Sequence, residues 1–319
     1  MSADTVRDED HQVGTPVGLA HEALLYRGTD ELVAAIVPVV RDALAAGEPV
    51  LVAMPGPNLD LLAAALGDAA DGLRLVDMAE AGRNPGRIIP WILHAFIQEH
   101  AGRRVRIVGE PVWAGRTDEE YPACAQHEAL VNVTLAGCAA AIVCLYDVSG
   151  LAPHVLTDAK RTHPVMLGEG RRWSSPDYRP ETVVGAYNQP LPDVPSSADA
   201  VDFDGTGLAG LRDLVADHAR RAGMIERRVV DFQLAVNELV SNAVLHGAGG
   251  GTLWIWTVAG AVACEVRDRG RAVVPLAGRV PPGPGSVRGR GLVLVNYVSD
   301  LVRIHTQPDG TAIRLYMRF

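Results

Sequence analysis

No apolar run in this chain is long enough to cross a bilayer: stretches such as 32–40 are short or interrupted. There is no CxxC pair, and the four cysteines, Cys124, Cys138, Cys144 and Cys264, have neither zinc-site nor disulfide-framework spacing. The opening "MSADTVRDEDHQVGTP" lacks the basic and apolar segments of a secretory leader. These absences lead us to expect a reduced, cytoplasmic protein with no membrane partner. A net charge of −9 over 319 residues hides an asymmetry. Residues 1–207 carry −14, whereas residues 208–319 contain 14 arginines, no lysine and 9 acids, a net of +5. Such a half can attract phosphates or an acidic partner, but +5 is too modest to argue for direct DNA binding.

Hydrophobic residues make up 48%, enough for real cores, and 319 residues suggest about two domains. Residues 1–17 are polar and read as a disordered tail. A helix is expected over 30–46, then a buried strand in "PVLVAMP", a helix in "NLDLLAAALGD" and a strand in "LRLVDM". "GRIIPWILHAFIQEHAG" reads as a helix, "RRVRIVGEPVW" contains a strand, "ACAQHEALVNVTLAG" is helical, and "CAAAIVCLYDV" is a buried strand. Strands alternating with helices predict a parallel sheet in an α/β domain over 18–190. "LPDVPSSADAVDFDGTG" (191–207), rich in Pro, Ser, Gly and Asp, reads as a linker. Beyond it the rhythm changes. Helices are expected over about 208–222 and 226–246, followed by three strand-like runs, "GTLWIWTVAG", "AVACEVRDRG" and "LVRIHTQPDGTAIRLYMR". Helices first and antiparallel strands later predict an α+β domain over 208–319.

The chemistry concentrates there. In "NELVSNAVLHG" the residues Glu238, Asn242 and His246 recur every fourth position, a polar stripe on a mostly apolar helix. Asp268 ends an apolar strand two residues before Gly270. "RGRGL", Arg288 to Leu292, opens a short helix behind a Gly/Pro-rich loop over 283–289 that reads as a mobile lid. A side-chain amide oxygen such as that of Asn242 suits Mg²⁺ without adding charge. Glu238, one turn away, can take a proton from an attacking hydroxyl. Gly289 and Gly291 let backbone approach a phosphate, the helix N-terminus attracts anions, and Arg288 and Arg290 add positive charge. Each residue type also has ordinary structural uses: His246 as a cap of the helix end, Asp-x-Gly as a turn, the arginines as solvated charges.

These three elements, in this order, resemble the N-box and two glycine boxes of the GHKL (Bergerat-fold) ATPase superfamily, and their compact layout looks most like the anti-sigma-factor serine kinases. The resemblance covers nearly all of 208–319. It implies a two-layer α+β Bergerat fold that binds ATP with Mg²⁺. It also implies Glu238 as catalytic base and Asn242 as Mg²⁺ ligand, with His246, Asp268, Gly270, Arg288, Gly289, Arg290, Gly291, Leu292 and Thr311 as nucleotide-binding residues. Asp268 and Thr311 would face adenine. The chain departs from the commoner pattern after Gly270, where Arg271 and Ala272 precede Pro275. A histidine-kinase reading would need a phosphoacceptor on a helical hairpin. His218 is the one candidate before the motifs, and a single helix is too little for a hairpin.

Residues 18–190 resemble the MEDS sensory domain. The carriers are "HEALLYRGTDELV", "GEPVLVAMP", "IVGEPVWAGR", "HEALVN", "CLYD" and "THP" at His163. The resemblance implies a RecA-like α/β sensor for a small-molecule ligand. After "VLVAMP" comes "GPNLDLL", without the lysine and Ser/Thr that a P-loop uses on phosphates, so nucleotide hydrolysis there is not expected. His21, Tyr26, Glu110, Trp113, Glu128, Tyr146 and Asp147 are pocket candidates, and Cys124, Cys138 and Cys144 read as core. The combined expectation is an anti-sigma factor with ATP-dependent serine/threonine kinase activity toward an anti-anti-sigma partner, also binding a sigma factor. Its alternatives are a non-catalytic ATP- and partner-binding module and a histidine-kinase-like protein. A homodimer is left open.

Overall fold

The computed structural model describes residues 18–270, 276–280 and 289–319. The expected tail over 1–17, most of the expected lid, Arg288, and the departure at Arg271, Ala272 and Pro275 lie outside the described residues.

The first domain begins with β1 (Ala20–Tyr26), α1 (Gly28–Ala45), β2 (Val50–Met54), α2 (Gly56–Leu66) and β3 (Leu73–Asp77). The stretch expected as one helix is broken into α3 (Pro85–Arg87), a wide π turn (Ile88–Leu93) and α4 (His94–Glu99). Pro90 lies inside it and cannot donate a helical hydrogen bond, a common cause of such widening. Then follow β4 (Val105–Gly109), α5 (Tyr121–Thr134), β5 (Ala140–Asp147), α6 (Pro153–Thr162), β6 (Val165–Gly168), β7 (Arg171–Ser174) and α7 (Pro180–Ala186). The sheet order is β3-β2-β4-β5-β1-β6-β7, parallel except for β7. Central strands such as β2 and β5 are buried along nearly their whole length, because helices cover both faces. Two cores result: one holds Ile107, Ile142, Leu135 and Phe96, the other Leu32, Ile36, Leu62 and Val143.

The second domain starts earlier than its sequence suggested. Within 191–207, read as a linker, "DAVDFD" forms β8 (Asp199–Asp204), an edge strand antiparallel to β9 (Gly250–Val258). The alternation of Val201 and Phe203, turned toward the core, with the exposed Asp202 and Asp204 was masked by the surrounding Pro and Ser. Between these strands run α8 (Leu208–Arg221) and α9 (Glu226–His246); β10 (Ala261–Asp268), α10 (Gly291–Val298), β11 (Leu301–Gln307) and β12 (Gly310–Arg318) complete the domain. The last run, read as one strand, is a hairpin that reverses at Pro308–Asp309, so the five-stranded antiparallel sheet is ordered β11-β12-β10-β9-β8. Its core packs Val229, Phe232, Val236, Leu239 and Val240 of α9 against Leu253, Ile255, Val262, Cys264, Val266 and Leu315.

The α+β expectation holds for this layer pair, but the sheet's other face is covered as well. β10 is buried from Ala261 to Val266 on both sides of its pleat. On that outer face Arg314 donates to Glu265 Oε2 at 2.6 Å and also reaches the Pro192 carbonyl. Arg303 donates to the Glu119 carbonyl at 2.6 Å, and the Tyr316 hydroxyl bonds the Glu119 carboxylate. Asn188 makes a two-way bond with the Thr306 backbone, at 2.8 and 2.9 Å. A second junction joins α3 to α10. Asn84 Nδ2 donates to the Asn296 carbonyl at 2.9 Å, and Arg87 donates to the Ser299 carbonyl at 3.1 Å. Trp91 stacks on Tyr297 with ring centroids 4.5 Å apart. A Cβ at Gly86 would come within 1.9 Å of Asn296 Oδ1, so only glycine permits this approach. Among the described residues no helix is long and apolar enough to cross a membrane.

Candidate functional site

α9 buries Leu239 and Ala243 against the sheet, which turns Glu238 and Asn242 to a half-buried border facing α10. A Cβ at Gly291, the first residue of α10, would lie 2.6 Å from Glu238 Oε2 and 3.2 Å from Asn242 Nδ2. The glycine-rich turn therefore lies directly against the carboxylate–amide pair. His246 is exposed at the last turn of α9, consistent with its capping use, yet it also lines the cavity described next.

That cavity, of about 590 Å³, is walled by Leu239, Asn242, His246, Asp268, Gly291 and Thr311, with Leu292 also on its wall. Asp268 and Thr311 are directly paired across β10 and β12, so they project side by side. Asp268 accepts from the Gly270 N–H at 2.7 Å. Burial pushes its carboxyl above the usual range, against the pull of that bond. The Thr311 hydroxyl oxygen is buried and has no hydrogen-bond partner among the described residues. Close glycine contacts shape this end. A Cβ at Gly247 would lie 2.5 Å from Asp268 Cγ, and one at Gly270 would lie 2.4 Å from the His246 carbonyl.

The cavity thus brings together Asn242, His246, Asp268, Gly289, Gly291, Leu292 and Thr311, with Glu238 and Gly270 immediately beside it. Arg290, just before α10, is exposed. The donor set fits a nucleotide: an acceptor beside an unpartnered hydroxyl for a base, and a helix N-terminus against a carboxylate and an amide for phosphates. ATP would be held by these residues, and Asn242 would offer its amide oxygen to the accompanying Mg²⁺. His218, the candidate phosphoacceptor, is half-buried on α8. Its ring nitrogens lie 3.3 Å from Asp199 Oδ2 and 3.3 Å from Thr257 Oγ1.

The pocket candidates of the first domain divide into two groups. Tyr26 and Asn58 donate to the two oxygens of Glu110, at 2.9 and 2.8 Å. Asp77 accepts from the Gly56 N–H at the start of α2. Burial raises the Glu110 carboxyl, opposed by its two hydrogen bonds. Asp147 accepts from Ser149 and caps the start of α1 at Gly28, and Trp113 lies under the Arg116 guanidinium at 3.8 Å. Where a P-loop would cradle phosphate, this domain places carboxylates on the available donors. The second group is deeper. His21, Glu128 and Tyr146 meet His163 and Cys144 inside the domain. His163 entered the sequence reading only as part of "THP", and Cys144 only as core; lying 35 and 16 residues from Glu128, neither had a local spacing that could associate them with it.

Sequence reasoning also missed the junction. Leu276 packs on the first domain's core and Arg279 is buried there, while Gly278, between them, lines the cavity of Asn242 and Asp268. Arg279 Nη1 has no hydrogen-bond partner among the described residues, and burial lowers its guanidinium to about 10.

Comparison with known families gives a match for each domain. Residues 20–164 match the model of MEDS, the methanogen/methylotroph DcmR sensory domain. Residues 203–317 match that of the histidine kinase-like ATPase domain. The chain joins a MEDS sensory domain at 20–164 to a histidine kinase-like ATPase domain at 203–317. Solved structures similar to it include the RsbU and RsbW domains of Rv1364c from Mycobacterium tuberculosis, at 22% identity over 39% of this chain, TM-score 0.30. Another is the histidine kinase AdeS of Acinetobacter baumannii, at 14% identity over 38% of this chain and 67% of that one, TM-score 0.23. The match spans 33% of the M. tuberculosis chain. No curated protein matches the chain.

Proposed function

We propose that the chain is an anti-sigma factor whose second domain binds Mg-ATP and phosphorylates a serine or threonine of an anti-anti-sigma partner, under control of the MEDS domain. The observation that carries this reading is the convergence of Gly291 on Glu238 and Asn242 beside a cavity that Asp268 and Thr311 also line. Adenine would be read at Asp268 through its exocyclic amino group. The phosphates would run toward the α10 N-terminus, where Mg²⁺, when bound, neutralises their charge. Glu238 would take the proton of the partner's hydroxyl as that oxygen forms a bond to the γ-phosphorus. The bond from phosphorus to the β–γ bridging oxygen breaks, and ADP leaves. His218 sits on a single helix rather than a hairpin, and both of its ring nitrogens are engaged, one by Asp199 and the other by Thr257.

Control has a physical route. α10 carries both the phosphate-side glycine, Gly291, and Asn296, which is held by Asn84 of the sensor and donates to the Gly278 carbonyl at 3.2 Å. A shift of α3 would therefore reach the nucleotide cavity through two bonds. Single-turnover transfer from labelled ATP to a partner recovered by pull-down tests the reading. Glu238→Gln should retain ATP and lose transfer by about 10²–10⁴, the usual contribution of a positioned general base. Asn242→Ala should weaken Mg-ATP binding itself. If the wild-type chain binds ATP and a partner but transfers nothing to any hydroxyl, the chain is a binding module instead.

A further inference from the structure

Inside the MEDS domain, one ligand atom from each of His21, Glu128, Cys144 and His163 lies within 4.8 Å of the other three, and all four residues are buried. The hydrogen bonds around them fix how the rings are protonated. His163 Nδ1 lies 2.9 Å from the Ala159 carbonyl, which can only accept, and 3.0 Å from Thr162 Oγ1, whose own proton has the Asp158 carbonyl at 2.9 Å, so Nδ1 carries the proton. Nε2 then turns inward and stands 3.0 Å from Glu128 Oε2, yet without hydrogen-bond geometry. His21 repeats the pattern. Its Nδ1 is 3.1 Å from Asn132 Oδ1, and that amide is oriented by Asn132 Nδ2 donating to the Thr162 carbonyl at 2.7 Å. His21 Nε2 therefore also presents a lone pair inward, 3.4 Å from Cys144 Sγ and 3.8 Å from Glu128 Oε2. The Tyr146 hydroxyl donates to Glu128 Oε2 at 3.0 Å.

Two inward imidazole nitrogens and a carboxylate have only the Cys144 S–H and the Tyr146 O–H as donors among them, so acceptors outnumber protons in a dry interior, a set a cation would complete. Outer hydrogen bonds that hold each histidine by its other nitrogen are the arrangement metal-bound histidines use. Bond lengths of about 2.0–2.3 Å to N, O and S give tetrahedral edges of roughly 3.3–3.7 Å. The pairs at 3.0, 3.4 and 3.8 Å need only tenths of an ångström to fit, and the remaining pairs, all within 4.8 Å, need to close by about an ångström at most. We propose that His21, Glu128, Cys144 and His163 bind one divalent transition-metal ion of the Zn²⁺ class. The charges close: a dication, a carboxylate, a thiolate and two neutral imidazoles sum to zero, the favourable state for a buried site. A cysteine thiol such as that of Cys144 ordinarily carries its proton near neutral pH until a metal displaces it. Binding therefore forms the metal–sulfur bond, breaks S–H, and releases that proton to solvent.

The test uses the full chain, reduced, freed of metal by chelation and then equilibrated with Zn²⁺ or Co²⁺. One ion per chain should remain after gel filtration. The Co²⁺ form should show a thiolate-to-metal charge-transfer band in the near ultraviolet. Cys144→Ser should abolish that band while circular dichroism stays unchanged. Asn132→Leu, which touches no metal, should weaken Zn²⁺ affinity about 10–100-fold, the usual effect of removing a supporting bond. A wild-type chain that retains neither ion, or a charge-transfer band that survives in Cys144→Ser, overturns the proposal. If His163→Gln fails to fold, Cys144→Ser and Asn132→Leu still decide it.

Discussion

The two sheets treat their polar groups in opposite ways. At the edge of the first sheet where a parallel α/β domain would hold a ligand, the donors are already engaged. The Gly56 N–H bonds Asp77, Asn58 bonds Glu110, and the Gly28 N–H faces Asp147. At the working end of the second sheet the set is incomplete. Asp268 accepts from a backbone N–H, Thr311 has no partner, and Gly291 leaves open the space a side chain would fill against Glu238. Buried polar groups are ordinarily satisfied, so an unfinished set marks a place kept for something else. By the same criterion the interior of the first domain is unfinished at His163 Nε2 rather than at its sheet edge.

The largest effect expected from this contrast is on catalysis. Glu238→Gln should cost about 10²–10⁴ in phosphate transfer, whereas Glu110→Gln, the counterpart carboxylate of the first domain, should leave the rate unchanged; single-turnover assays of both compare them directly. Next is nucleotide binding. Asp268→Leu should weaken ATP by about 10–100-fold, the loss of a hydrogen bond to a charged group, and calorimetry with Asn58→Leu should show wild-type heat. Because the Asp268 carboxyl is raised by burial, ATP affinity should begin to fall on acidification at a pH above the ordinary carboxylate range, as the acceptor is protonated.

How much of this was readable beforehand follows from distance along the chain. The stripe Glu238, Asn242, His246 was visible because a helix places every fourth residue on one side, and Asp268 because a strand's apolar alternation ends there. β5 announced itself as an uninterrupted apolar run. β8 did not, since three aspartates among Pro and Ser resemble a tether until β9 is there to pair with them. The Asn84–Asn296 contact joins residues 212 positions apart, and Cys144 lies 123 positions from His21. No local period signals such meetings; only the folded sheet order β4-β5-β1-β6 brings β5 and His21 of β1 side by side.

A smaller effect sharpens the comparison by its sign. Thr311→Val removes a buried hydroxyl that has no partner, so the nucleotide-free chain should become more stable by about 1 kcal/mol or more, while ATP affinity falls several-fold. Melting curves with and without Mg-ATP check both directions at once, and a destabilised nucleotide-free chain would show that Thr311 is already satisfied. The smallest effect concerns Glu110. Its folded carboxyl is raised, so its contribution is fully present below the unfolded value of about 4.3 and is lost as pH rises through the folded value. Glu110→Gln should therefore flatten the stability profile across that window and melt slightly higher at neutral pH; an unchanged profile counts against the raised carboxyl.

The clasp at Gly86 bears on how freely these two domains could be recombined. A chimaera that joined this ATPase domain to another sensor would need, at the equivalent of position 86, a residue without a side chain, because any Cβ there would overlap Asn296 Oδ1. It would also need an amide at the equivalent of position 84 to meet the Asn296 carbonyl. The pair behaves as a matched fitting rather than as beads on a string: an exchange that ignored it would break the contact that the proposed control runs through.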